Sequence, residues 1–539
     1  MFKIRKLYQT VFLIFTLYIF FGGDSLSEQA VRLFNSFHIF PSLNSAVNGH
    51  GSRYMAVALV LFAAAAVFGR FYCSFLCPMG FLQDIMSLIT RRLKFKPGRV
   101  KSFMWPGVFV LFLTVFSVLF GNGLWGWLDH FSIFGRILNS FAVPVFNNAL
   151  SPFSGYLNKT SFLQIETEGI DAGFDFYYSF IFVAALFIIG AYRPRWFCNT
   201  LCPSGALFSL VFRTGFLKIE LNSACPGCKK CERNCPSGSI TDGAVDYATC
   251  VTCLECVNVC PKRILSVSFK RNAAAPGNLS DETPGGGRAH GSRRAFITGS
   301  SALLAGIFSA GYLSKLPLVF KDIKKIKFAI PPGAGNAFDF FSRCSACHLC
   351  ITNCPTGVLK PALFENGPAG LSKPRLDFEK SHCSYECNVC TGVCPAGALN
   401  YLPLDVKKTT AIGKVVLDTS AKTDCIPYKE KIDCGSCAEH CPTGAVYMVR
   451  QGDVFVPKIR RAFCNGCGIC ESVCPVLENK PIRVVALPRH TRVTLLADYE
   501  KKLESKKSAV QKNAAPPAGS QTPPGDPSQG KPATGDFPF

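Results

Sequence analysis

The sequence predicts a fold in two parts: an α-helical membrane domain with four spans plus a fifth apolar helix, and small α+β domains built on cysteine-rich loops. Three observations carry this prediction. Of the 539 residues, 48% are hydrophobic and only 17% are charged, whereas soluble domains have about 25% charged residues. Phenylalanine alone supplies 48 residues. The chain also has 28 cysteines, most of them in short repeated motifs. This composition excludes an ordinary soluble enzyme.

The formal net charge of +23 points to an anionic surface as a partner. Nucleic-acid binders collect Lys and Arg on one face of a soluble domain. Here much of the excess lies beside apolar runs, which is typical of cytoplasmic loops in membrane proteins. We therefore expect a lipid bilayer, and no nucleic acid, to face the basic residues.

Four apolar runs within residues 1–215 are long enough, or nearly so, to cross a hydrocarbon core, which takes about 20 residues. They cover approximately residues 7–23, 54–72, 104–121 and 175–192. Basic residues precede the first run and separate the second from the third, and acidic residues follow the third. Because cytoplasmic loops are enriched in Lys and Arg, both ends of this domain are predicted to face the cytoplasm. The first run is not read as a cleavable signal peptide, since further spans follow it.

An internal repeat marks the cytoplasmic end of the membrane domain. The segment RFYCSFLCPMGFL, which starts at Arg70, returns as RWFCNTLCPSGAL from Arg195. Cysteines four apart share one helix face, so the two pairs could converge as four soft ligands for a metal. They could also be thiols in disulfide exchange, and the sequence does not decide between a metal site and redox thiols. The four residues are Cys73, Cys77, Cys198 and Cys202.

The other 24 cysteines form six quartets that all end in Cys-Pro. Four have the spacing C-x2-C-x2-C-x3-C-P: Cys225, Cys228, Cys231, Cys235; Cys250, Cys253, Cys256, Cys260; Cys344, Cys347, Cys350, Cys354; and Cys464, Cys467, Cys470, Cys474. Two open with a longer spacing: Cys383, Cys387, Cys390, Cys394, and Cys425, Cys434, Cys437, Cys441. This spacing is typical of bacterial ferredoxins, so it predicts six [4Fe–4S] clusters in ferredoxin-like domains. Neither structural zinc nor a disulfide framework requires this pattern.

Ligand pairing follows from the same spacing. In two-cluster ferredoxins the fourth cysteine of each quartet reaches the neighbouring cluster. Residues 216–270 are thus predicted to be a cytoplasmic two-cluster module with two crossed sets of ligands. The sets are Cys225, Cys228, Cys231 with Cys260, and Cys250, Cys253, Cys256 with Cys235. The four later quartets allow either sequential or nested pairing.

The string Cys344-Ser-Ala-Cys347-His348 also matches a haem-attachment motif. Its cysteines continue in register into Cys350 and Cys354, so the cluster interpretation is favoured. His348 is then expected at the surface, or hydrogen-bonded near a cluster, and not as an iron ligand.

The junction between the two halves is rich in Gly, Pro and Ser over residues 271–291, which predicts a flexible linker. Residues 292–318 begin with Arg293-Arg294 and continue into a mildly apolar stretch. This is either a fifth membrane helix or a twin-arginine export signal. Export is favoured, because cysteines threaded unfolded into the periplasm could form disulfides. Five lysines after the stretch count against it.

Residues 319–500 hold four quartets and are predicted to be a periplasmic four-cluster domain. Alternating apolar residues from Val446 and again from Val454 predict short strands between the quartets. Residues 501–539, rich in Pro, Gly, Gln, Ser and Lys, are predicted to be a disordered tail.

Taken together, these motifs make residues 1–270 resemble the NapH/MauN membrane ferredoxins, and residues 292–490 resemble their NapG/MauM polyferredoxin partners. The resemblance implies a quinol dehydrogenase component in the bacterial inner membrane. It would pass electrons from the membrane quinone pool to a periplasmic redox enzyme or cytochrome, such as a nitrate reductase with its haem partner. Trp125, Trp127 and His130 are candidates for lining a quinol pocket, although interfacial anchoring is the favoured role of the two tryptophans.

One difficulty follows from this topology. The two ferredoxin modules would lie on opposite sides of a bilayer with a core about 30 Å thick, and no cluster quartet lies between them in the sequence. Either quinone connects the two faces, or the cytoplasmic module serves a separate donor. The alternative function is an assembly or reductive-activation factor for a periplasmic metalloenzyme, with the four membrane thiols as active groups. No nucleotide-binding motif is present.

Overall fold

The computed structural model describes two structural parts, a helical one from the first half of the sequence and cysteine-rich modules from the rest. The residues it describes are 2–21, 28–47, 52–93, 105–119, 123, 125–150, 174–193, 195–212, 216–221, 225–241, 243–269, 326–419, 424–496, 498–501 and 504–505. The predicted linker (271–291), the predicted signal or anchor helix (292–318) and nearly all of the predicted tail (501–539) lie outside these residues.

The helical part contains short helices between longer ones. The helices are α1 (Phe2–Phe21), α2 (Glu28–Ser36), α3 (Ile39–Val47), α4 (Ser52–Phe68), α5 (Phe71–Phe75), α6 (Pro78–Arg92), α7 (Trp105–Leu119), α8 (Trp125–Leu128), α9 (His130–Ile137), α10 (Val143–Leu150), α11 (Phe174–Tyr192), α12 (Trp196–Thr200) and α13 (Pro203–Phe212). A π-helical turn, Leu138–Ala142, joins α9 to α10. The short α5 and α12 carry the repeated cysteines, and each is followed by a helix that begins at proline, where the missing amide hydrogen costs nothing.

Each of the four predicted apolar runs is helical, but their lengths differ. Among the described residues, α11 is the one helix long and apolar enough to cross a membrane. Apolar helices in the second and third runs are shorter, at Leu59–Phe68 and Pro106–Leu119. Helix α1 has 20 residues, but three of them near its start are basic. The four-span domain therefore remains a prediction.

The first cysteine-rich module pairs the two strands at its ends and holds its cysteine loops between them. Strand β1 (Leu217–Leu221) pairs antiparallel with β4 (Leu265–Phe269), and Ile219 lies opposite Val267. The other elements are β2 (Ile240–Thr241), β3 (Ala244–Val245), α14 (Lys230–Asn234) and α15 (Glu255–Val259). The pairing of the terminal strands closes the module, so that both cysteine loops share one small core.

The second cysteine-rich module contains three two-stranded antiparallel sheets. Its strands are β5 (Leu359–Pro361), β6 (Pro374–Leu376), β7 (Thr410–Leu417), β8 (Val446–Gln451), β9 (Val454–Ile459) and β10 (Ile482–Arg492). Its helices are α16 (Ala337–Arg343), α17 (Leu349–Thr352), α18 (Val389–Val393), α19 (Leu404–Lys408), α20 (Ile426–Lys429), α21 (Ser436–Glu439) and α22 (Ile469–Ser472). The predicted strands at 446 and 454 are confirmed, and they form one hairpin, β8–β9.

The helical part lies between the two modules, and residues 1–493 form a single compact unit. Near the start of α1, Arg5 is 3.9 Å from Glu255 of the first module. Near its end, the carbonyl of Ile19 accepts a hydrogen bond of 3.1 Å from Asn353 of the second module. A helix rises 1.5 Å per residue, so these two contacts are about 21 Å apart along α1.

Candidate iron–sulfur and redox sites

The two crossed ligand sets predicted for the first module each line one cavity. One cavity is bordered by Cys225, Cys228, Cys231 and Cys260. A second is bordered by Cys235, Cys250, Cys253 and Cys256. The fourth cysteine of each quartet therefore lies in the neighbouring site, as crossed pairing predicts.

In the second module the quartets pair sequentially, which answers the question that the sequence left open. One cavity is lined by Cys354 together with Cys383, Cys387 and Cys390, and another by Cys425, Cys434, Cys437 and Cys474. The remaining two sets are identified by the effect of neighbouring thiols on one another's pKa. Burial is the main cause that raises the pKa of Cys347, and the nearby thiols of Cys394 and Cys344 raise it further. Likewise Cys467, Cys464 and Cys441 raise the pKa of Cys470 beyond the effect of burial.

Backbone geometry explains how the regular quartets bring three thiols together. In each C-x2-C-x2-C loop, the residues two and four places after the first cysteine have positive φ angles, between 49° and 83°. They are Gly227 and Lys229, Thr252 and Leu254, Ala346 and His348, and Gly466 and Gly468. Left-handed conformations at non-glycine residues cost about 1 kcal/mol or more each. Their repetition at matched positions indicates that the loops are shaped to surround a ligand.

The four cysteines of the internal repeat form a further cluster, which we call the tetrad: Cys73, Cys77, Cys198 and Cys202. All four are buried, and none forms a disulfide. Burial raises the pKa of Cys77 well above its usual value, and the neighbouring Cys198, Cys73 and Cys202 raise it further. Gln83 Nε2 lies 3.0 Å from the sulfur of Cys198. The two repeats thus bring their thiols into one buried site, as the sequence allowed.

Each repeat contributes an arginine to the other. Arg70 donates a hydrogen bond of 2.8 Å to the carbonyl of Cys198, and Arg195 donates one of 3.0 Å to the carbonyl of Cys73. Each repeat also has a glycine three residues after its second cysteine. A Cβ on Gly80 would overlap the carbonyl oxygen of Cys73, and one on Gly205 would overlap that of Cys198. The repeats therefore form an approximately two-fold arrangement around the tetrad.

A single metal ion does not fit these sites. Among the described residues, no three His, Cys, Asp or Glu side chains converge closely enough to bind one ion. Tetrahedral zinc with Zn–S bonds of about 2.3 Å needs four sulfurs within about 4 Å of one another. A cubane cluster is larger, because each thiolate binds a different iron. The four sulfurs around a cubane must therefore lie farther apart than those around a single zinc ion.

Buried cations accompany most of the cysteine sets, a feature that sequence reasoning missed. The side chains of Lys373, Lys407 and Lys480 are buried beside Cys344, Cys383 and Cys474, respectively. Lys218 and Arg195 are buried beside Cys250 and Cys253. Four thiolates give a bound cluster negative charge, and a buried charge needs a partner. The only signal in the sequence was the excess of Lys and Arg.

The structure decides between two expected positions for His348 and corrects the role of Trp125. His348 is buried and hydrogen-bonded next to Cys347, the second of the two expected positions: Nε2 lies 2.8 Å from the carbonyl of Ser372, and Nδ1 lies 3.2 Å from Asn139 of the helical part. Trp125 is completely buried in a cluster with Phe40 and Leu111, so the expectation that it anchors the protein at a lipid interface is wrong. Both placements have one cause, because the second module covers this end of the helical part.

The third pocket candidate, His130, is buried in a polar cluster. Its Nε2 lies 3.1 Å from the hydroxyl of Tyr72, which is next to Cys73 of the tetrad. Its Nδ1 lies 3.1 Å from Ser204 Oγ, two residues after Cys202. Trp127 is half-buried under the guanidinium of Arg136, which lies 4.4 Å from its ring. Of the three candidates, His130 has the contacts that a redox site would use.

Comparison with known proteins agrees with this geometry. A family model described as "4Fe-4S binding domain" matches residues 53–96 and 176–222, which contain the two repeats, and one described as "4Fe-4S dicluster domain" matches residues 432–477. The methylamine utilization ferredoxin-type protein MauM of Methylobacillus flagellatus is 32% identical over 195 residues, 35% of this chain and 78% of the relative. The chain belongs to the MauM family of ferredoxin-type proteins.

Other relatives extend this MauM-family assignment. The ferredoxin-type protein NapF of Escherichia coli K12 is 26% identical over 147 residues, 27% of this chain and 79% of the relative. An uncharacterized protein of Methanocaldococcus jannaschii is 24% identical over 267 residues, 49% of this chain and 95% of the relative. No solved structure matches the chain. This MauM-family chain is a ferredoxin-type iron–sulfur electron-transfer protein, and the NapH/MauN resemblance of its first half remains a prediction.

Proposed function

We propose that this protein is an inner-membrane relay that passes electrons from quinol to a periplasmic redox enzyme or cytochrome. Six [4Fe–4S] clusters occupy the six cysteine sets of the two modules, and the tetrad holds a seventh. The observation that carries the proposal is the position of the tetrad. It lies in the helical part, which contacts one module at each end.

Continuity of contacts supports a relay through the tetrad. Arg70, which binds the carbonyl of Cys198, also donates a hydrogen bond of 3.1 Å to Ala248, two residues before Cys250. Ser74, next to Cys73, donates one of 2.7 Å to Val251. At the other end, the backbone of Gly135 packs against the carbonyl of Cys347 so closely that a Cβ would not fit. A tetrad cluster would therefore bridge the gap that the sequence left between the modules.

Exposed apolar side chains support a membrane location. On α1, Leu7, Val11, Ile14, Tyr18 and Phe21 are exposed at helical spacing. Exposed apolar residues continue on other long helices: Leu59 and Val60 on α4, Phe109 on α7, and Phe180, Ile181 and Ile188 on α11. Patches of this extent are unusual on soluble monomers and are expected where lipid covers the helices. The four-span domain, residues 1–215, is proposed on this basis, with the first module cytoplasmic and residues 319–500 periplasmic.

Burial of the tetrad argues against the alternative of an assembly factor. Thiol–disulfide exchange needs an attacking thiolate that a partner can reach. All four thiols are buried, with exposures of 3% to 7%. An internal carrier does not need access, because electrons tunnel through the packed interior. The tetrad is thus better suited to electron transfer than to exchange with a partner protein.

Iron content tests the proposal. We expect about 28 iron atoms in the anaerobically purified full chain, four for each of seven clusters. The double variant Cys73→Ala and Cys198→Ala should contain about 24, still four for each remaining cluster. A soluble quinol analogue should reduce the clusters of the wild type. Zinc in place of iron, or equal iron in wild type and double variant, would remove the seventh cluster from the proposal.

A further inference from the structure

A chain of buried polar side chains lies between the tetrad and the second module; we call it the relay. Nδ1 of His38 lies 3.1 Å from the hydroxyl of Tyr72, and that hydroxyl lies 3.1 Å from Nε2 of His130. Nδ1 of His130 lies 3.3 Å from Oδ1 of Asp129 and 3.1 Å from Ser204. All five side chains are at most 1% exposed. The relay is therefore a hydrogen-bonded path closed to solvent.

We assign one arrangement of protons to the relay. Oδ2 of Asp129 accepts two hydrogen bonds of 3.1 Å from Ser132, which favours a carboxylate. Nδ1 of His130 donates its proton to Ser204 Oγ at 3.1 Å, with Oδ1 of Asp129 3.3 Å away, so Nε2 of His130 accepts the hydroxyl proton of Tyr72. The oxygen of Tyr72 in turn accepts the Nδ1 proton of His38. This leaves Nε2 of His38 as an unprotonated acceptor at the end of the relay.

Nε2 of His38 has no hydrogen-bond partner in the structure, although the side chain is completely buried. Buried polar atoms without a partner are rare and cost about 1–3 kcal/mol. The ring is held in place by Phe131, stacked at 3.9 Å between ring centroids, and by the edge of Phe34 at 5.2 Å. An acceptor fixed between aromatic rings suits a flat aromatic ligand that carries a hydroxyl group.

Two cysteine sites flank His38. Tyr72, which is hydrogen-bonded to His38, immediately precedes Cys73 of the tetrad in the chain. Asn35, three residues before His38, donates a hydrogen bond of 2.9 Å to the carbonyl of Val393, next to Cys394. On the outer side, Leu33 is exposed and Phe34 packs against Phe12 and Phe15 of α1. Phe34 is thus the aromatic layer between His38 and the apolar surface of α1, the side from which an apolar ligand would enter.

We propose that His38 is the base that accepts the hydroxyl proton of quinol, and that the relay carries this proton to His130. The proposal rests on the proposed function and adds the site of oxidation. Quinol gives up two electrons and two protons to become quinone. For the first of the two electrons, which passes to an oxidised iron–sulfur cluster beside the site, one O–H bond breaks and its proton binds Nε2 of His38. The relay takes up this one proton, because Nε2 of His38 and both nitrogens of His130 are then protonated. The Nδ1 proton of His38 moves to Tyr72, and the hydroxyl proton of Tyr72 moves to Nε2 of His130.

Asp129 completes this step, because its carboxylate stabilises the positive charge that His130 then carries. Tyr72 and His130 are positioning residues in this scheme, since they act on quinol only through His38. General bases contribute about 100-fold to 10,000-fold to a rate. Removing His38 should therefore slow quinol oxidation without preventing chemical reduction of the clusters.

The test uses the full chain in lipid nanodiscs, purified anaerobically. Stopped-flow absorbance follows cluster reduction by a soluble quinol analogue and, separately, by dithionite. His38→Gln should slow reduction by quinol about 100-fold and leave reduction by dithionite unchanged. His490→Gln is the matched control, because His490 is a half-buried histidine on β10 outside the relay.

Tyr72→Phe removes one hydroxyl and keeps the ring, so it answers the question even if His38→Gln does not fold. It should lower kcat with KM unchanged and abolish the solvent deuterium isotope effect of the wild type, which loss of packing alone would not do. Reduction of both variants by quinol at the wild-type rate would overturn the relay and leave the proposed function intact. If dithionite reduces the clusters of the wild type but quinol does not, both the relay and the proposed function are overturned.

Discussion

The cysteine site at the centre of the molecule and the site at the outer end of the first module differ in what surrounds their sulfurs. In the tetrad, all four cysteines are buried, and two buried arginines bind the carbonyls beside them. In the outer set of the first module none of the four is buried, and Cys228 is exposed. An exposed site can exchange electrons with a soluble partner, whereas a buried one exchanges them only within the chain.

The inner set of the first module is intermediate between these two. Cys250, Cys253 and Cys256 are buried, and their loop contacts the helical part through Ala248 and Val251. The cysteines of the outer set, on the same module, are more exposed than these. Reduction potentials depend on nearby charge, hydrogen bonds and solvent exposure. We therefore expect the two sites of this module to differ in reduction potential.

The largest difference between these sites should appear when a ligand is removed. Cys253→Ala should lose the inner cluster and strongly lower the thermal stability, because cluster binding contributes to folding free energy and this loop joins module to helices. Cys228→Ala, the matched variant of the outer set, should lose about four iron atoms and keep most of the thermal stability. Iron analysis and thermal unfolding of anaerobic protein test this. Equal losses of stability would contradict the distinction between inner and outer sites.

The second prediction concerns the arginines at the centre. Arg195 binds both oxygens of Asp84, at 2.8 and 2.7 Å. Arg195→Gln should lower the free energy of unfolding by about 1.5–3 kcal/mol, because Asp84 loses its bidentate partner and keeps only Arg5 at 3.8 Å and Gln9 at 3.3 Å. Adding Asp84→Asn should restore part of the loss. Chemical denaturation of the single and double variants measures both effects. A double variant no more stable than Arg195→Gln alone would contradict this role of the ion pair.

The same ion pair gives the protein a pH dependence. Burial raises the pKa of Asp84, but Arg195 together with Arg5 and Gln9 more than offsets this and holds the pKa below its usual value. A carboxylate with a lowered pKa stabilises the fold above its unfolded pKa, and this stabilisation is lost as pH falls through the folded pKa. The wild type should therefore lose more stability in acid than Asp84→Asn. Denaturation curves at neutral and acidic pH test this, and identical pH profiles would contradict it.

The sequence predicted how the cysteines group in the first module because their spacing is local. Three of the four ligands in a regular quartet lie within seven residues, and the crossed fourth ligand follows from the size of a two-cluster module. The sequential pairing of Cys344 with Cys394 was not predictable, since it depends on how separate loops pack. The predicted strands at 446 and 454 were correct for the same local reason.

The parts that the sequence could not predict all depend on distant contacts. The role of Trp125 was misjudged because the second module, more than two hundred residues later, covers it. His38 gave no signal, since a single histidine between apolar helices is common. The arginine pair could have been found: Arg70 and Arg195 hold the same position in both repeats, three residues before the first cysteine.

The fourth prediction concerns the glycines that let the repeats close around the tetrad. Gly80→Ala should lower the free energy of unfolding by about 1–3 kcal/mol, because the new Cβ has no room beside the carbonyl of Cys73. Gly190→Ala on α11 is the control, since nothing lies within 4 Å of the position its Cβ would take. Thermal unfolding of both variants tests this. A loss at Gly190 as large as at Gly80 would contradict the packing argument.

The smallest predicted effect tests whether buried cations set the potentials of the inner sites. Lys407 is buried, and its amino group donates hydrogen bonds to the carbonyls of Ser384 and Tyr385 in the loop of Cys383. Lys407→Gln should lower the midpoint potential of that cluster by about 70 mV, for one charge about 10 Å away at an effective dielectric constant of about 20. The positive charge favours the reduced cluster, which carries one more negative charge.

The neighbouring lysine provides the control for this measurement. Lys408 carries the same charge one residue later, but its side chain is partly exposed and pairs with Glu386 at 2.5 Å. Solvent and Glu386 screen its charge, so Lys408→Gln should shift the potential much less. Redox titration monitored by electron paramagnetic resonance measures both shifts. Equal shifts would mean that net charge alone sets the potential, and that the burial of Lys407 beside the cysteine loop contributes nothing of its own.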